Sequence, residues 1–266
     1  MQGHDSHEGD IDVADHLAAL GIGSESQEER QDQVRRILQN SKPHSQRADG
    51  MTLRWRDPSG AELWIYIDES GSMKSVQPHF AGGTRHTLEI QDIIPREQIS
   101  PFDGGFIGLT QTGGTNPALG GGFPVIFDAP DFPDVKDAVL TARHDVELAA
   151  FAVELNAYAS PEALKEAQPE MGPLDVPAFI PAGLMGVTQG DEPTAHALLV
   201  GELEEWSQVT NELTGLPFHR LRVSTPAGPM DLIVEPDMMP EGLETGMVIQ
   251  AGAWMSGRIA PEDDAK

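Results

Sequence analysis

Residues 51–90 read MTLRWRDPSGAELWIYIDESGSMKSVQPHFAGGTRHTLEI. Leu53 and Trp55 alternate with Arg54 and Arg56, the two-residue period of a strand with one buried face. Asp57-Pro58-Ser59-Gly60 is turn chemistry: proline presets φ, aspartate bonds back to the backbone, and glycine accepts positive φ. The apolar and aromatic run from Glu62 to Ile67 is a second strand, and Asp68-Glu69-Ser70-Gly71-Ser72 a second turn. Two further strands are expected at 74–80 and 85–90, parted by Ala81-Gly82-Gly83. The stretch predicts an antiparallel meander.

Upstream, residues 1–9 are polar and expected to be mobile. Asp10 or Asp12 can cap a short helix in which Val13, Leu17 and Leu20 share a face, ended by Gly21 and Gly23. A second helix starts near Glu28 and Glu29, carries Val34, Ile37 and Leu38 as its apolar stripe, and places Arg35 and Arg36 toward its C-terminus, as the helix dipole favours. Residues 42–50, with Pro43, read as a polar linker.

Downstream, the runs 106–109 and 124–127 are short strands at the two ends of a glycine-rich passage. Residues 136–158 fit either one helix or two strands. Ser160-Pro161-Glu162 opens a helix that ends near Gln168. The Pro/Gly-rich residues 173–193 suggest a domain boundary, and from His196 the alternation restarts. It puts Leu199, Leu203, Leu221, Val223, Met230, Leu232, Val234 and Ile249 on one inward face. No repeat recurs at a fixed period. The fold class expected is therefore α+β: N-terminal helices and an antiparallel meander sheet, then a small C-terminal β-barrel. Three segments follow: an acidic helical one at 1–48, an α+β domain at 49–187, and a barrel with an acidic tail at 188–266, able to fold without the rest.

The chain has 17 basic and 43 acidic residues, a net charge of −26. Binding nucleic acid largely means neutralising phosphates with Lys and Arg, so nucleic acid is an unfavourable partner, as is an anionic membrane. No run of 18 apolar residues is present. The first dozen residues lack a basic and then apolar leader, which points to a cytoplasmic protein. Cysteine is absent, so disulfides, thiol catalysis and thiolate metal sites are excluded.

Four resemblances follow. Residues 57–63, DPSGAEL, resemble the D-P-x-G-x-x-L start of the final strand in glyoxalase-like, vicinal-oxygen-chelate modules. This implies a metal-lined cup with Glu62 as a ligand, although no histidine stands at a matching strand position before it. Asp68, Ser70 and Ser72 resemble the D-x-S-x-S metal-ion-dependent adhesion motif of von Willebrand A domains, which implies a Mg²⁺ held by hard oxygen ligands. Read from the residues alone, the same run is a polar hairpin turn, and the helix that follows it in that fold is interrupted here by Pro78. Residues 196–259 are similar to an oligonucleotide/oligosaccharide-binding (OB) barrel in strand count and turn placement; Arg220, Arg222, Trp206 and Trp254 read as ordinary core or surface packing, with a small local patch as the alternative. In the meander, Ala149-Ala150-Phe151-Ala152, Phe179-Ile180-Pro181-Ala182-Gly183 and Asn211 to Arg222, the chain as a whole resembles a family of uncharacterised actinobacterial proteins, a likeness that brings no catalytic residues with it.

Chemistry-bearing constellations are sparse. His4, Asp5, His7, Glu8, Asp10 and Asp12 read as either a metal-binding or a plain polar tail. There is no G-x-S-x-G elbow and no phosphate-binding loop, and His79, His86, His144, His196 and His219 follow no motif. The expectation is a cytoplasmic protein without a cofactor or catalytic residues, binding a protein or a small ligand. The alternative is a metal-dependent enzyme using a glyoxalase-like cup or the Asp68, Ser70, Ser72 site.

Overall fold

A computed structural model describes residues 16–24, 26–98, 100–110, 122–169, 176–185 and 192–260. The fold is mostly β-sheet with few helices. A short 3-10 turn, Ala18–Leu20, ends at Gly21, whose φ of 67° suits glycine. Helix α1, Gln27–Asn40, is capped by the Ser26 hydroxyl, which accepts from the Glu29 amide. Of its expected stripe only Ile37 is buried; Val34 and Leu38 remain exposed.

Four strands form the first sheet in sequence order: β1 (Lys42–Arg47), β2 (Gly50–Arg56), β3 (Ala61–Asp68) and β4 (Met73–Phe80), all antiparallel. The meander is thus present, with two corrections. Residues 42–47, expected as linker, are its edge strand, and an edge is where Pro43 can be tolerated. The strand at 85–90 leaves this sheet for the next one.

The second sheet holds β5 (Arg85–Pro95), β6 (Gly104–Thr110), β7 (Pro124–Asp128), β8 (Arg143–Tyr158), β9 (Ala178–Ile180), β10 (His196–Thr210), β11 (Pro217–Thr225), β12 (Gly228–Val234) and β13 (Val248–Ile259). Two short helices, α2 (Phe132–Val135) and α3 (Pro161–Ala167), lie between strands, α3 capped as expected by Ser160. The ambiguity over 136–158 resolves into turns followed by the strand β8.

The pairing closes two rings that share one antiparallel ribbon, β8–β13. In one, β5, β6 and β7 run as a meander from β8 to β13; in the other, β10, β11 and β12 run from β13 to β8. The rings match strand for strand. β5 has a register shift between Ile90 and Asp92, and β10 has one between Leu203 and Glu205. Gly105 faces Asp128 as Arg220 faces Ile233, and Leu109 faces Pro124 as Ser224 faces Pro229. Each meander ends in a parallel contact with the ribbon, Asp128 beside Ser256 and Ile233 beside Phe151. These correspondences are consistent with one pseudo-twofold axis through the Ala150–Met255 pair. The fold is an internal structural duplication.

The inward set expected of the C-terminal strands lies entirely in one core, which also takes Leu88, Ile90, Phe106 and Phe127 from the first ring. The strands of 188–266 do not close on themselves: β12 and β13 both bond to β8. The ring at the C-terminus therefore includes a strand from before residue 188. The first sheet lies against the ribbon's outer face, where β4 contacts β13 and β8. A second apolar cluster joins Trp55, Leu63, Ile65 and Phe80 to Phe151 and Trp254.

Candidate functional site

A cleft of about 240 Å³ opens where β4, the β5–β6 connection, the end of β7 and the approach to β10 meet. Its wall is built on a tight turn. The Arg96 amide donates to the Asp103 carbonyl, the Ser100 amide to the Arg96 carbonyl, and the Asp103 amide to the Ser100 carbonyl. This turn extends the β5–β6 ladder by one pair and aims both side chains at the cleft. Arg96 is only 7% exposed. Its Nε and Nη2 donate to Asp128 Oδ1 at 3.2 and 3.1 Å, and Nη1 donates to the Pro193 carbonyl. Asp128 Oδ2 accepts from Trp254 Nε1 at 2.8 Å. Burial raises the Asp128 pKa, while the Arg96 charge and the Trp254 bond pull it back. The Asp128 side chain keeps 20% exposure, so the pair is reachable from the cleft.

Asp103 is 6% exposed and accepts from the Ser75 hydroxyl. Burial also raises its pKa, against hydrogen bonds from Ser75 and Gln77, and the neighbouring Asp128 charge adds to the rise. No ion pair reaches Asp103 among the described residues. The Trp254 ring stacks on His16, centroids 4.6 Å apart and planes 7° apart, and Glu192, Thr194 and His196 complete one side.

The duplication provides an internal control. Val209 and Phe218 pair in β10–β11 as Arg96 and Asp103 pair in β5–β6. Ile233 stands where Asp128 stands, and Ala149 where Trp254 stands. Phe218, Ile233 and Ala149 are buried in one apolar cluster, and the half-buried Val209 packs against it. One architecture is filled with core at one end and opened into a charged cleft at the other.

Asp68, Ser70 and Ser72 are brought together, in the exposed β3–β4 turn. Asp68 Oδ1 accepts from the Ser70 amide and hydroxyl at 2.9 and 2.6 Å and from the Ser72 amide at 2.9 Å. Lys74 Nζ lies 3.1 Å from Oδ2. These bonds, the Ser70 hydroxyl first, hold the Asp68 carboxyl well below the usual range. Glu62, the ligand implied by the glyoxalase-like resemblance, is fully buried and taken by Arg54, Arg56 and the Trp64 indole. No group of three or more His, Asp or Glu placed to hold a metal ion occurs among the described residues. The terminal cluster from His4 to Asp12 lies outside them.

Arg220, Arg222, Trp206 and Trp254 do not assemble into one patch. Arg220 pairs with Asp231 at 2.9 Å, Arg222 reaches Glu204, Trp206 is exposed beside His219, and Trp254 is in the cleft. A second feature invisible in the sequence is a buried histidine–serine pair, His79 Nδ1 to Ser256 Oγ at 3.0 Å. Ser256 Oγ also lies 3.2 Å from the Pro78 carbonyl; when its proton goes there, Nδ1 is the donor to Oγ, the wrong tautomer for a base. Both side chains are inaccessible, and burial holds His79 neutral with a pKa of about 3. The pair belongs to the packing of β4 on β13.

Sequence reasoning missed Arg96, Asp103 and Asp128. One signal was available: Arg96 is the sole Lys or Arg between Arg85 and Lys136, placed beside a proline in an acidic chain. Among the described residues, no helix is long and apolar enough to cross a membrane. No protein-family model, curated protein or solved structure matches the chain.

Proposed function

We propose that the protein binds a small polar ligand in the Arg96–Asp128–Trp254 cleft and does not transform it. The observation that carries this reading is the contrast between the two rings: three buried apolar residues and the half-buried Val209 in one stand where the other has Asp103, Asp128, Trp254 and Arg96. A buried arginine–carboxylate pair is a weak stabiliser compared with well-packed apolar residues, so the fold alone is a poor reason for it. An enclosed concavity with a few convergent polar groups and an aromatic wall is the usual form of a ligand site. Thr194, the hydroxyl in the lining, has no side-chain hydrogen bond to a base among the described residues, which supports binding over catalysis. A cysteine-free chain with an excess of acid suits a reducing, soluble setting, and a cytoplasmic location is part of the proposal.

The test is a thermal-shift screen of the full chain against small charged and neutral metabolites, followed by titration calorimetry of each hit. Saturable binding, lost in the Arg96→Val/Asp128→Ile variant and returning the ligand unchanged by mass spectrometry, is the expected result. Binding that survives the double replacement removes the cleft from the account. Consumption of the ligand replaces a binding protein with an enzyme.

A further inference from the structure

We infer that the ligand of the cleft is a small organic cation, a free amine or guanidine, whose charged head is held by Asp103. The inference rests on the binding reading above and specifies its chemistry.

The charges around the cleft do not balance. Arg96 is the only Lys or Arg in the lining, and it is neutralised in place by Asp128. Asp103 then remains, buried, with only neutral donors from Ser75 and Gln77, and Glu192 stands at the mouth against the Gln98 amide. An anionic ligand would meet three carboxylates and an arginine already engaged, with only the imidazoles of His16 and His196 as further cationic groups. A cation meets a desolvated carboxylate that lacks a counter-charge, and this is the arrangement in which an ion pair gains most on completion.

The counterpart of Asp103 is Phe218, wholly buried in an apolar cluster. That position therefore accepts an aromatic ring without loss of the fold, and a carboxyl there, its ionised form disfavoured by burial, does nothing for packing. The stacked Trp254 and His16 rings supply an aromatic wall of the kind that attracts organic cations. The chain-wide charge of −26 raises the local concentration of cations. A volume of about 240 Å³ lies below the range usual for drug-sized ligands, which favours a small free molecule as the occupant.

The experiment is calorimetry at low salt with n-butylamine, putrescine and agmatine, their matched probes n-butanol and butyrate, and a short lysine peptide with blocked ends. At least one free amine should bind saturably, with the alcohol and the carboxylate at least tenfold weaker. Asp103→Asn should weaken the amine at least tenfold, while Asp68→Asn, which removes a surface carboxylate of equal charge, should leave it within twofold. Asp103→Phe, which copies the other ring, serves where the asparagine variant fails to fold. Butyrate binding as tightly as the amines, or an amine indifferent to Asp103, overturns the cation assignment and leaves the cleft reading standing. Preference for the lysine peptide overturns the small-molecule assignment. If no probe and no screened metabolite binds, both readings fall.

Discussion

Asp128 occupies in one ring the position that Ile233 occupies in the other, each beside the ribbon at its parallel contact, Ser256 for the first and Phe151 for the second. The equivalence turns the protein into its own control. Replacing Asp128 with Ile alone strands the Arg96 guanidinium in a site where it is 7% exposed, and loss of one partner of a buried pair costs about 3–5 kcal/mol. Adding Arg96→Val removes the stranded charge and reproduces the Val209–Ile233 arrangement. The double variant should recover most of the lost stability in urea unfolding. A double variant no more stable than Asp128→Ile would refute the equivalence of the two ends.

Asp131 gives a pH dependence of definite sign. It is 4% exposed, its Oδ1 has no hydrogen-bond partner, and burial pushes its pKa up to about 7 from an ordinary 3.8, against the Arg258 charge. The folded chain therefore keeps a proton that the unfolded chain has already released. The stability Asp131 contributes is complete below pH 3.8 and is lost as the pH rises through about 7. His79, held down to about 3, acts oppositely: its contribution is complete above 6.5 and is lost as the pH falls toward 3. Asp131→Asn should be more stable than the parent at pH 8, on the order of a few kcal/mol, and equal to it at pH 3.5. Chemical denaturation at both pH values checks it; a constant difference would remove Asp131 as the cause.

A fragment of residues 188–266 should show no cooperative thermal transition by circular dichroism. Both β12 and β13 complete their pairing on β8, which the fragment lacks. In the full chain, Leu221→Asp should cost several kcal/mol, because Leu221 is wholly buried in the shared core. Arg222→Asp, on the opposite face, should cost less than Leu221→Asp, through loss of the Glu204 pair and the Thr84 hydrogen bond. Cooperative unfolding of the isolated fragment would restore the independent barrel that the alternation suggests.

Magnesium should not bind at the β3–β4 turn. Asp68 Oδ1 already accepts three hydrogen bonds and Oδ2 faces Lys74. Millimolar Mg²⁺ should leave the melting temperature unchanged in the parent and in Asp68→Asn alike. A rise confined to the parent would reinstate the metal site.

The local grammar of this chain was legible and its long-range grammar was not. Alternation gave the C-terminal strands from β10 to β13 and all eight inward residues from Leu199 to Ile249, because burying one face of a strand constrains every second residue. Ser160 caps a helix where the Ser-Pro-Glu pattern predicts it, and α1 begins beside Glu28 and Glu29, the acids that signal its start. Partner choice is another matter: nothing local to residues 85–95 says that the strand abandons the meander for β8. The duplication is equally silent. Pro124 and Pro229 coincide, as do Glu89 and Glu202, but most equivalent pairs share only apolarity, as Phe106 and Leu221 do. The cleft is assembled from positions as distant as Arg96 and Trp254, so no window of sequence contains it.

The ribbon has a consequence for the order in which the molecule is made. Neither ring closes without β13, Val248–Ile259, which is synthesised after every other strand of the two rings. While the chain emerges, the β5–β7 meander waits with one of its two edges unpartnered, because β7 meets its neighbour across more than a hundred residues. Contacts of such long sequence separation form slowly, and unpaired strand edges invite association with other chains in the interval. The nascent protein therefore depends on whatever shields open edges in the cell until its last strand is seated.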